Sequence, residues 1–248
     1  MLILLPPSET KSTRRRGRPM ALDRLSFPSL LPVREQVGIA LAKVSEQPDG
    51  TDQLGVSATL AEEVARNTRL DSAPALRASS LYTGVLYDAL DYATLDPAAR
   101  RRANRWLVVI SALYGALRPT DAVAPYRLSM GTNLPGVGPL ASAWRQALQE
   151  VLPEAAGRGA VVDCRSSTYA AAWVPGGDLA GRWVQVRIPG ATHMAKHTRG
   201  LVARHLCEAG TDARTPQALA EVVSRAFDVE LHEPVRAGKP WTLDALAR

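Results

Sequence analysis

Short runs of consecutive apolar residues alternate along this chain with segments in which apolar residues recur at helical spacing. The runs are rich in Leu, Val and Ile and are bounded by polar or turn-forming residues, a pattern typical of buried strands. They predict strands at Leu2–Leu5, Leu107–Ile110, Ala160–Cys164, Trp183–Ile188 and Val229–Leu231.

The segments between these runs predict amphipathic helices, because their apolar residues fall on one helical face. The apolar positions are Val33, Val37, Leu41 and Val44, then Leu60 and Val64, then Leu140, Trp144, Leu148 and Val151, then Met194, Leu201, Val202 and Leu206. Thr215 followed by Pro216 predicts the start of a further helix, with Thr as the N-cap. Strands that alternate with helices predict an α/β or mixed α+β fold. We expect one domain over residues 1–248, with a helical insertion at about 30–105.

Composition is that of an ordinary globular protein, with 46% apolar and 22% charged residues and a net charge of +6. The positive charge favours anionic partners, although an arginine-rich composition can also arise from codon bias. The apolar start, Met1–Leu5, is too short for a membrane span and has no charged flank of a signal peptide. We therefore expect a cytoplasmic protein with no membrane partner. Cys164 and Cys207 have no metal-site spacing and are expected to be free, buried thiols.

Polar segments follow three of the predicted strands. They are Pro6–Lys11, Ser111–Arg118 and Arg165–Tyr169. If the three strands are neighbours, their carboxyl ends converge at one edge, where open α/β sheets bind ligands. That edge would carry hydroxyls and cations suited to an anion or a phosphate, namely Ser8, Lys11, Arg118, Arg165, Ser166 and Tyr169. The alternative is that each segment is only the polar cap of a strand.

A second polar cluster lies in the predicted helix near residue 200. Lys196, Arg199 and Arg204 could present cations to an anion, or they could form a solvated basic face. His193 and His197 have the spacing of two zinc ligands on a helix. Because no third ligand and no adjacent glutamate accompany them, we predict no metal site.

The remaining chemistry in the sequence is less specific. Tyr82 and Tyr87 could stack on a base or ring, although half-buried packing is the plainer interpretation. The chain has no phosphate-binding glycine loop and no nucleophile-elbow motif. Whether the protein is an enzyme is therefore left open, and no cofactor is predicted.

Five segments together resemble the YaaA family, also called DUF328 or UPF0246. They are Leu4–Lys11, Leu81–Asp88, Ser111–Asp121, Tyr126–Met130 and Ala195–Gly200. The resemblance implies a bacterial cytoplasmic protein of the peroxide-stress response, associated with limiting intracellular iron and oxidative DNA damage. It also implies a single fold with a central mixed sheet, and DNA binding through a basic cleft with a helix-hairpin-helix-like element.

The signature adds candidate anion contacts at Tyr114, Arg118, Tyr126 and Arg127. Three positions depart from the family pattern: Thr10 and Ala112 each stand where glycine is usual, and Ala195 stands where asparagine is common. These changes keep a second hypothesis open beside DNA binding. It is an enzyme or binding protein for an anionic or nucleotide-like small molecule at the strand-end pocket.

Overall fold

A seven-stranded mixed sheet forms the centre of the computed structural model, which describes residues 1–190 and 194–248. Five strands of this sheet follow the predicted apolar runs closely, so the mixed α/β fold is confirmed. In chain order the strands are β1 Leu2–Leu5, β2 Leu76–Arg77, β3 Leu107–Ser111, β4 Gly115–Leu117, β5 Ala122–Val123, β6 Asn133–Leu134, β7 Gly138–Pro139, β8 Val161–Asp163, β9 Trp183–Arg187, β10 Phe227–His232 and β11 Trp241–Ala247.

Five parallel strands make up the middle of the sheet, whose order is β10-β11-β9-β8-β1-β3-β4. Strand β1 pairs in parallel with both β3 and β8, and β8, β9 and β11 continue in the same direction. The two edge strands, β4 and β10, run antiparallel to their neighbours. The ends of β8, β1 and β3 therefore lie side by side, as the site hypothesis requires.

Helices cover the sheet and fill the connection between β1 and β3. The α-helices are α1 Leu31–Ser45, α2 Gly50–Gln53, α3 Ala61–Ala65, α4 Ala78–Leu81, α5 Val85–Leu90, α6 Pro97–Trp106, α7 Leu140–Ala156, α8 Ser167–Ala170, α9 Met194–Ala209 and α10 Pro216–Val223. Short 3-10 helices lie at Leu22–Arg24, Pro28–Leu30, Ala58–Leu60, Arg66–Arg69, Tyr92–Thr94 and Gly177–Arg182.

Local chemistry explains where several helices begin. Asp96 accepts hydrogen bonds from the N–H groups of Ala98 and Ala99, with Pro97 in the first turn of α6. Thr215 accepts from the N–H of Ala218 at the start of α10, which confirms the predicted cap. Within residues 1–190 and 194–248, no helix has the length and apolar content needed to cross a membrane.

The segment after β3, predicted as the polar segment Ser111–Arg118, folds as the second half of a β-hairpin. The chain turns tightly at Gly115, whose φ is +68°, and returns along β3 as strand β4. A Cβ on Gly115 would lie 2.5 Å from the Trp144 ring, so only glycine fits the turn as it is packed. The hairpin was missed because its second strand is only three residues long.

Candidate functional site

The loop that follows β1 is held against the turn between helices α4 and α5. Lys11 pairs with Tyr82 through an antiparallel backbone bridge, and the N–H of Ser12 donates to the carbonyl of Leu81 at 2.8 Å. Gly84 has a φ of +96° and closes the α4–α5 turn next to Ser8. This pairing places Lys11 at the carboxyl ends of the parallel strands.

Lys11 has an unusual environment for a lysine. Its Nζ donates to the carbonyl oxygens of Ser8 at 2.8 Å and Glu9 at 3.2 Å, and it lies 4.4 Å from the centre of the Tyr126 ring. Burial and the nearby Arg127 guanidinium lower the pKa of Lys11 to about 8. A substantial fraction of this amine is therefore neutral near physiological pH.

Five of the six tyrosines of the chain gather beside Lys11, and we name them the tyrosine cluster: Tyr82, Tyr87, Tyr114, Tyr126 and Tyr169. Tyr82 stacks on Tyr87 with ring centres 5.4 Å apart, and Tyr114 meets Tyr126 edge to face at 5.3 Å. Tyr82 is fully buried and the Tyr87 hydroxyl donates to the carbonyl of Pro6 at 2.7 Å. In this structure the two rings predicted to stack on a ligand stack on each other.

Hydroxyl groups join the tyrosine cluster to the end of β3. The Tyr126 hydroxyl shares hydrogen bonds with Ser111 Oγ at 2.7 Å and with the Tyr82 hydroxyl at 3.3 Å. The Tyr114 hydroxyl donates to the carbonyl of Ala124 at 3.0 Å. Burial raises the pKa values of Tyr82, Tyr114 and Tyr126 well above the ordinary tyrosine value, so these hydroxyls stay protonated.

A small cavity of about 120 Å³ opens beside Lys11. We name it the Lys11 cavity; it is lined by Glu9, Thr10, Lys11, Glu63, Arg66, Pro125 and Tyr126. Arg127 pairs with two of these lining residues, with its guanidinium 3.7 Å from the Glu9 carboxylate and 3.6 Å from that of Glu63. Thr10, one of the departures from the family pattern, thus forms part of the wall.

A wider groove of about 400 Å³ continues from the Lys11 cavity, and the two share Arg66 and Pro125. We name it the arginine groove; its lining is Thr13, Arg14, Arg66, Arg69, Ser72, Ala73, Pro74 and Pro125. Arg14, Arg66 and Arg69 are all exposed, and none of them makes an ion pair within the part of the chain that the structure describes. The groove therefore offers three cations to solvent.

Of the residues predicted at the strand ends, the structure brings together Ser8, Lys11, Tyr126 and Arg127. Arg118 does not lie there. Strand β4 runs antiparallel to β3, so Arg118 lies near the amino end of β3. There its guanidinium donates to the carbonyls of Arg105 and Leu107.

Arg165 follows β8 as predicted, but its side chain folds back on its own strand. The guanidinium is fully buried and makes two hydrogen bonds to the Asp163 carboxylate, at 2.8 and 2.7 Å. It also donates to the carbonyl of Trp173 at 2.9 Å. Ser166 is exposed at the N-cap of α8. Arg165 is thus an internal ion-pair partner in this structure and does not face the Lys11 cavity.

The cations of helix α9 also make internal contacts, except for Lys196, which is exposed. Arg199 donates to the carbonyl of Val186, and Arg204 donates to the carbonyls of Leu90 and Asp91. These bonds hold α9 against the sheet and the α5 region. His193, considered above as half of a metal pair, lies outside the described residues.

Sequence reasoning missed Arg14, Arg66, Arg69 and Glu63 as members of this site. Arg14 belongs to a basic run whose sequence indicates only a loop, and Arg66 and Arg69 lie in a 3-10 helix of the insertion. The spacing of three residues between Arg66 and Arg69 was the one available signal. It could not indicate that the loop after β1 would lie opposite.

One group outside this region has the spacing of a metal site within the described residues. The donor atoms of Glu230, His232 and Asp244 lie within 4.8 Å of one another. The Asp244 carboxylate, however, accepts two hydrogen bonds of 2.5 Å from Arg187, and one from His232 at 3.0 Å. These contacts lower the pKa of Asp244 and describe an ion-pair network. The iron handling that the resemblance implies stays a prediction.

Comparison with known proteins agrees with the motifs. The fold and site define a mixed α/β protein with polar chemistry at the carboxyl ends of its parallel strands. A family model described as "Peroxide stress protein YaaA" matches residues 1–232. The chain therefore belongs to the YaaA family of peroxide stress proteins, and the resemblance seen in the sequence is confirmed.

Relatives that match over nearly their full length carry the UPF0246 name. A UPF0246 protein of Streptomyces coelicolor is 46% identical, covering 99% of this chain and 98% of that protein. One from Corynebacterium efficiens is 38% identical over 94% of this chain and 96% of its own length. One from Ruegeria is 32% identical over 95% and 98%, respectively.

Proposed function

We propose that this YaaA family member binds DNA in the cytoplasm, with the sugar-phosphate backbone lying along the arginine groove. The observation that carries the proposal is the placement of Arg14, Arg66 and Arg69 on one groove, exposed and without ion pairs among the described residues. An arginine guanidinium can donate two parallel hydrogen bonds to the oxygens of one phosphate. Contacts to phosphates supply essentially all of the affinity of non-specific nucleic acid binding.

The neighbouring elements support this assignment. The short helices α4 and α5 and their turn at Tyr82–Gly84 lie beside Lys11, and we propose them as the helical pair that the family resemblance associates with DNA. The basic run from Arg14 to Arg18 is exposed, and its first residue lines the groove. Arg127, which Glu9 and Glu63 flank, contributes less free positive charge than the three groove arginines.

Salt dependence of binding tests the proposal. A fluorescent DNA duplex and its single strand are titrated with the protein over a range of salt concentrations. For the duplex, replacement of Arg14, Arg66 and Arg69 by alanine should weaken binding and make the negative slope of log K against log salt shallower by roughly 2.7, since each lost phosphate contact removes about 0.9.

A matched control variant removes three positive charges from the surface outside the arginine groove. Arg145, Arg214 and Arg236 are exposed and make no ion pair in the described ranges 1–190 and 194–248, and they lie outside the groove. Their triple replacement by alanine should leave the salt slope nearly unchanged. Equal effects of the two triple variants, or no salt-dependent binding by either DNA form, would contradict the proposal.

A second candidate function is binding of an anionic small molecule at the strand ends. The Lys11 cavity favours it, since the partly buried Lys11 and the Tyr126 side chain both line a space too small for a duplex. Thermal stabilisation by nucleotides and sugar phosphates, abolished in Lys11→Met but retained in the double variant Arg14→Ala/Arg69→Ala, which leaves the lining of the Lys11 cavity intact, would support this candidate over DNA.

A further inference from the structure

Lys11 differs from the other lysines of the chain in its surroundings. The sequence contains four lysines, and three of them, Lys43, Lys196 and Lys239, are exposed. Lys11 is partly buried, and its Nζ lies between the carbonyl oxygens of Ser8 and Glu9 and the rings of Tyr82 and Tyr126, with one side open to the Lys11 cavity. DNA binding along the arginine groove gives no reason for such an arrangement.

We propose that the Lys11 amine is a nucleophile that forms an imine with an aldehyde or ketone, and that this carbonyl compound also carries a phosphate. The two backbone carbonyls fix Nζ by accepting two N–H bonds, which a neutral amine still provides. The cavity of about 120 Å³ leaves room beside Nζ for a carbonyl group and a few further atoms.

The phosphate requirement comes from Arg66. This arginine lines both the Lys11 cavity and the arginine groove, and it makes no ion pair with any residue that the structure describes. A ligand whose carbonyl carbon reaches Lys11 would thus hold its phosphate at Arg66, at the junction of the two spaces. The two carboxylates that line the cavity, Glu9 and Glu63, pair with Arg127.

The protonation state of Lys11 is compatible with nucleophilic attack. Burial and, to a smaller extent, Arg127 lower its pKa, Glu63 and Glu9 act in the opposite direction, and the net result is a pKa of about 8. Tyr82 and Tyr126, the other titratable groups that face the amine, stay neutral because burial raises their pKa values. At pH 7.5 roughly a quarter of the Lys11 amine is then neutral, against roughly a thousandth for a solvated lysine.

The bond changes are those of imine formation. The nitrogen lone pair of Lys11 attacks the carbonyl carbon, and a proton moves from nitrogen to oxygen to give a carbinolamine. Uptake of one proton from solvent releases the hydroxyl group as water and leaves a protonated imine. No oxidant or reductant takes part, and the step is reversible by addition of water.

Reductive trapping tests this proposal on the unmodified protein. The full chain is incubated with pyridoxal 5′-phosphate, a phosphate-bearing aldehyde, and reduced with sodium borohydride, and the four lysine-containing peptides are quantified by mass spectrometry. We expect Lys11 to be labelled at least tenfold faster at pH 7.5 than any of the three exposed lysines, and its labelling to rise to a plateau above pH 8. Pyridoxal, which lacks the phosphate, should label Lys11 several-fold more slowly.

Two variants separate this proposal from DNA binding. Arg66→Ala should abolish the advantage of the phosphorylated probe without preventing labelling of Lys11, whereas Arg145→Ala should change neither. The double variant Arg14→Ala/Arg69→Ala should weaken DNA binding and leave the labelling of Lys11 by pyridoxal 5′-phosphate intact. Failure of DNA binding and failure of amine reactivity are thus distinguishable.

A second arm identifies the source of the carbonyl compound. A single-stranded oligonucleotide with one abasic site presents an aldehyde between two phosphates, and borohydride would trap it on Lys11 as a covalent adduct. An adduct with this strand at micromolar concentration indicates a nucleic-acid ligand, and rapid labelling by pyridoxal 5′-phosphate alone indicates a small metabolite. The proposal is overturned if neither probe modifies Lys11 faster than the exposed lysines between pH 7 and 9.

Discussion

Replacement of Arg165 distinguishes a buried structural cation from a ligand contact. Its guanidinium is fully buried and donates hydrogen bonds to the Asp163 carboxylate and to the carbonyls of Trp173 and Tyr169. Arg165→Met keeps much of the side-chain volume and removes the charge. It leaves the Asp163 carboxylate buried and, among the residues that the structure describes, with two remaining hydrogen-bond donors, the Trp183 indole N–H and the backbone N–H of position 165.

The expected loss of stability follows from that uncompensated charge. Breaking a buried ion pair by removing one partner costs about 3–5 kcal/mol. For a chain of this size each kcal/mol lowers Tm by about 2–4 °C, so Tm should fall by roughly 6–20 °C. The double variant Asp163→Asn/Arg165→Met removes both charges and should be more stable than Arg165→Met by about 1–3 kcal/mol.

Chemical denaturation followed by tryptophan fluorescence and circular dichroism measures these differences. Arg165→Lys serves as the control, since it keeps the charge but cannot reproduce the two parallel bonds to Asp163, and it should lose an intermediate amount of stability. A loss below about 1 kcal/mol for Arg165→Met, together with weaker DNA or phosphate binding, would refute the reasoning and assign Arg165 to the ligand site.

Three further predictions concern the hairpin, a thiol and the lysine. Gly115→Ala should cost about 2–5 kcal/mol, because it adds a strained φ and a clash with Trp144, whereas Gly136→Ala, at φ +82° with open space around it, should cost only about 1–2 kcal/mol in the same denaturation assay. Burial raises the pKa of Cys164 to about 12, so this thiol should resist hydrogen peroxide and thiol reagents in the native protein, and sulfenic acid formation there by mass spectrometry would contradict this. Folding lowers the pKa of Lys11 from 10.5 to about 8, so between these pH values the unfolded chain binds a proton that the folded protein does not. The unfolding free energy of the wild type should therefore rise relative to that of Lys11→Met from about pH 8 to 10. A difference that stays constant over this pH range would contradict the lowered pKa.

The three strand ends of the predicted site show which structural features can be predicted from the sequence. The adjacency of β8, β1 and β3 was expected from three apolar runs with polar ends, and the parallel register confirms it. The same reasoning placed Arg118 at that edge, because it took Ser111–Arg118 as one irregular segment. A three-residue strand reverses the chain there, and such a short strand has too few residues for a period to be seen.

Side-chain pairing was harder to predict than backbone structure. Arg165 and Asp163 are two residues apart, yet nothing in their spacing indicates that the arginine folds back onto its own strand instead of facing a ligand. Arg66 lies more than fifty residues from Lys11 in the sequence, and the two line one cavity only because the insertion folds over the loop after β1.

The sequence by itself determined five of the seven strands of the central sheet, several of the helices, the cap at Thr215, and the family, because these depend on periodicity and on short motifs that act locally. The tertiary structure alone decided which arginines are engaged by internal hydrogen bonds or ion pairs and which face solvent. Arg118, Arg165, Arg199 and Arg204 have the same chemistry as Arg14, Arg66 and Arg69, but the first four meet carbonyls or carboxylates in the fold and the last three line an open groove. The physical reason is that a hydrogen bond or ion pair depends on distances of a few ångströms between groups far apart in the chain, and only the packing of the sheet and its insertion sets those distances.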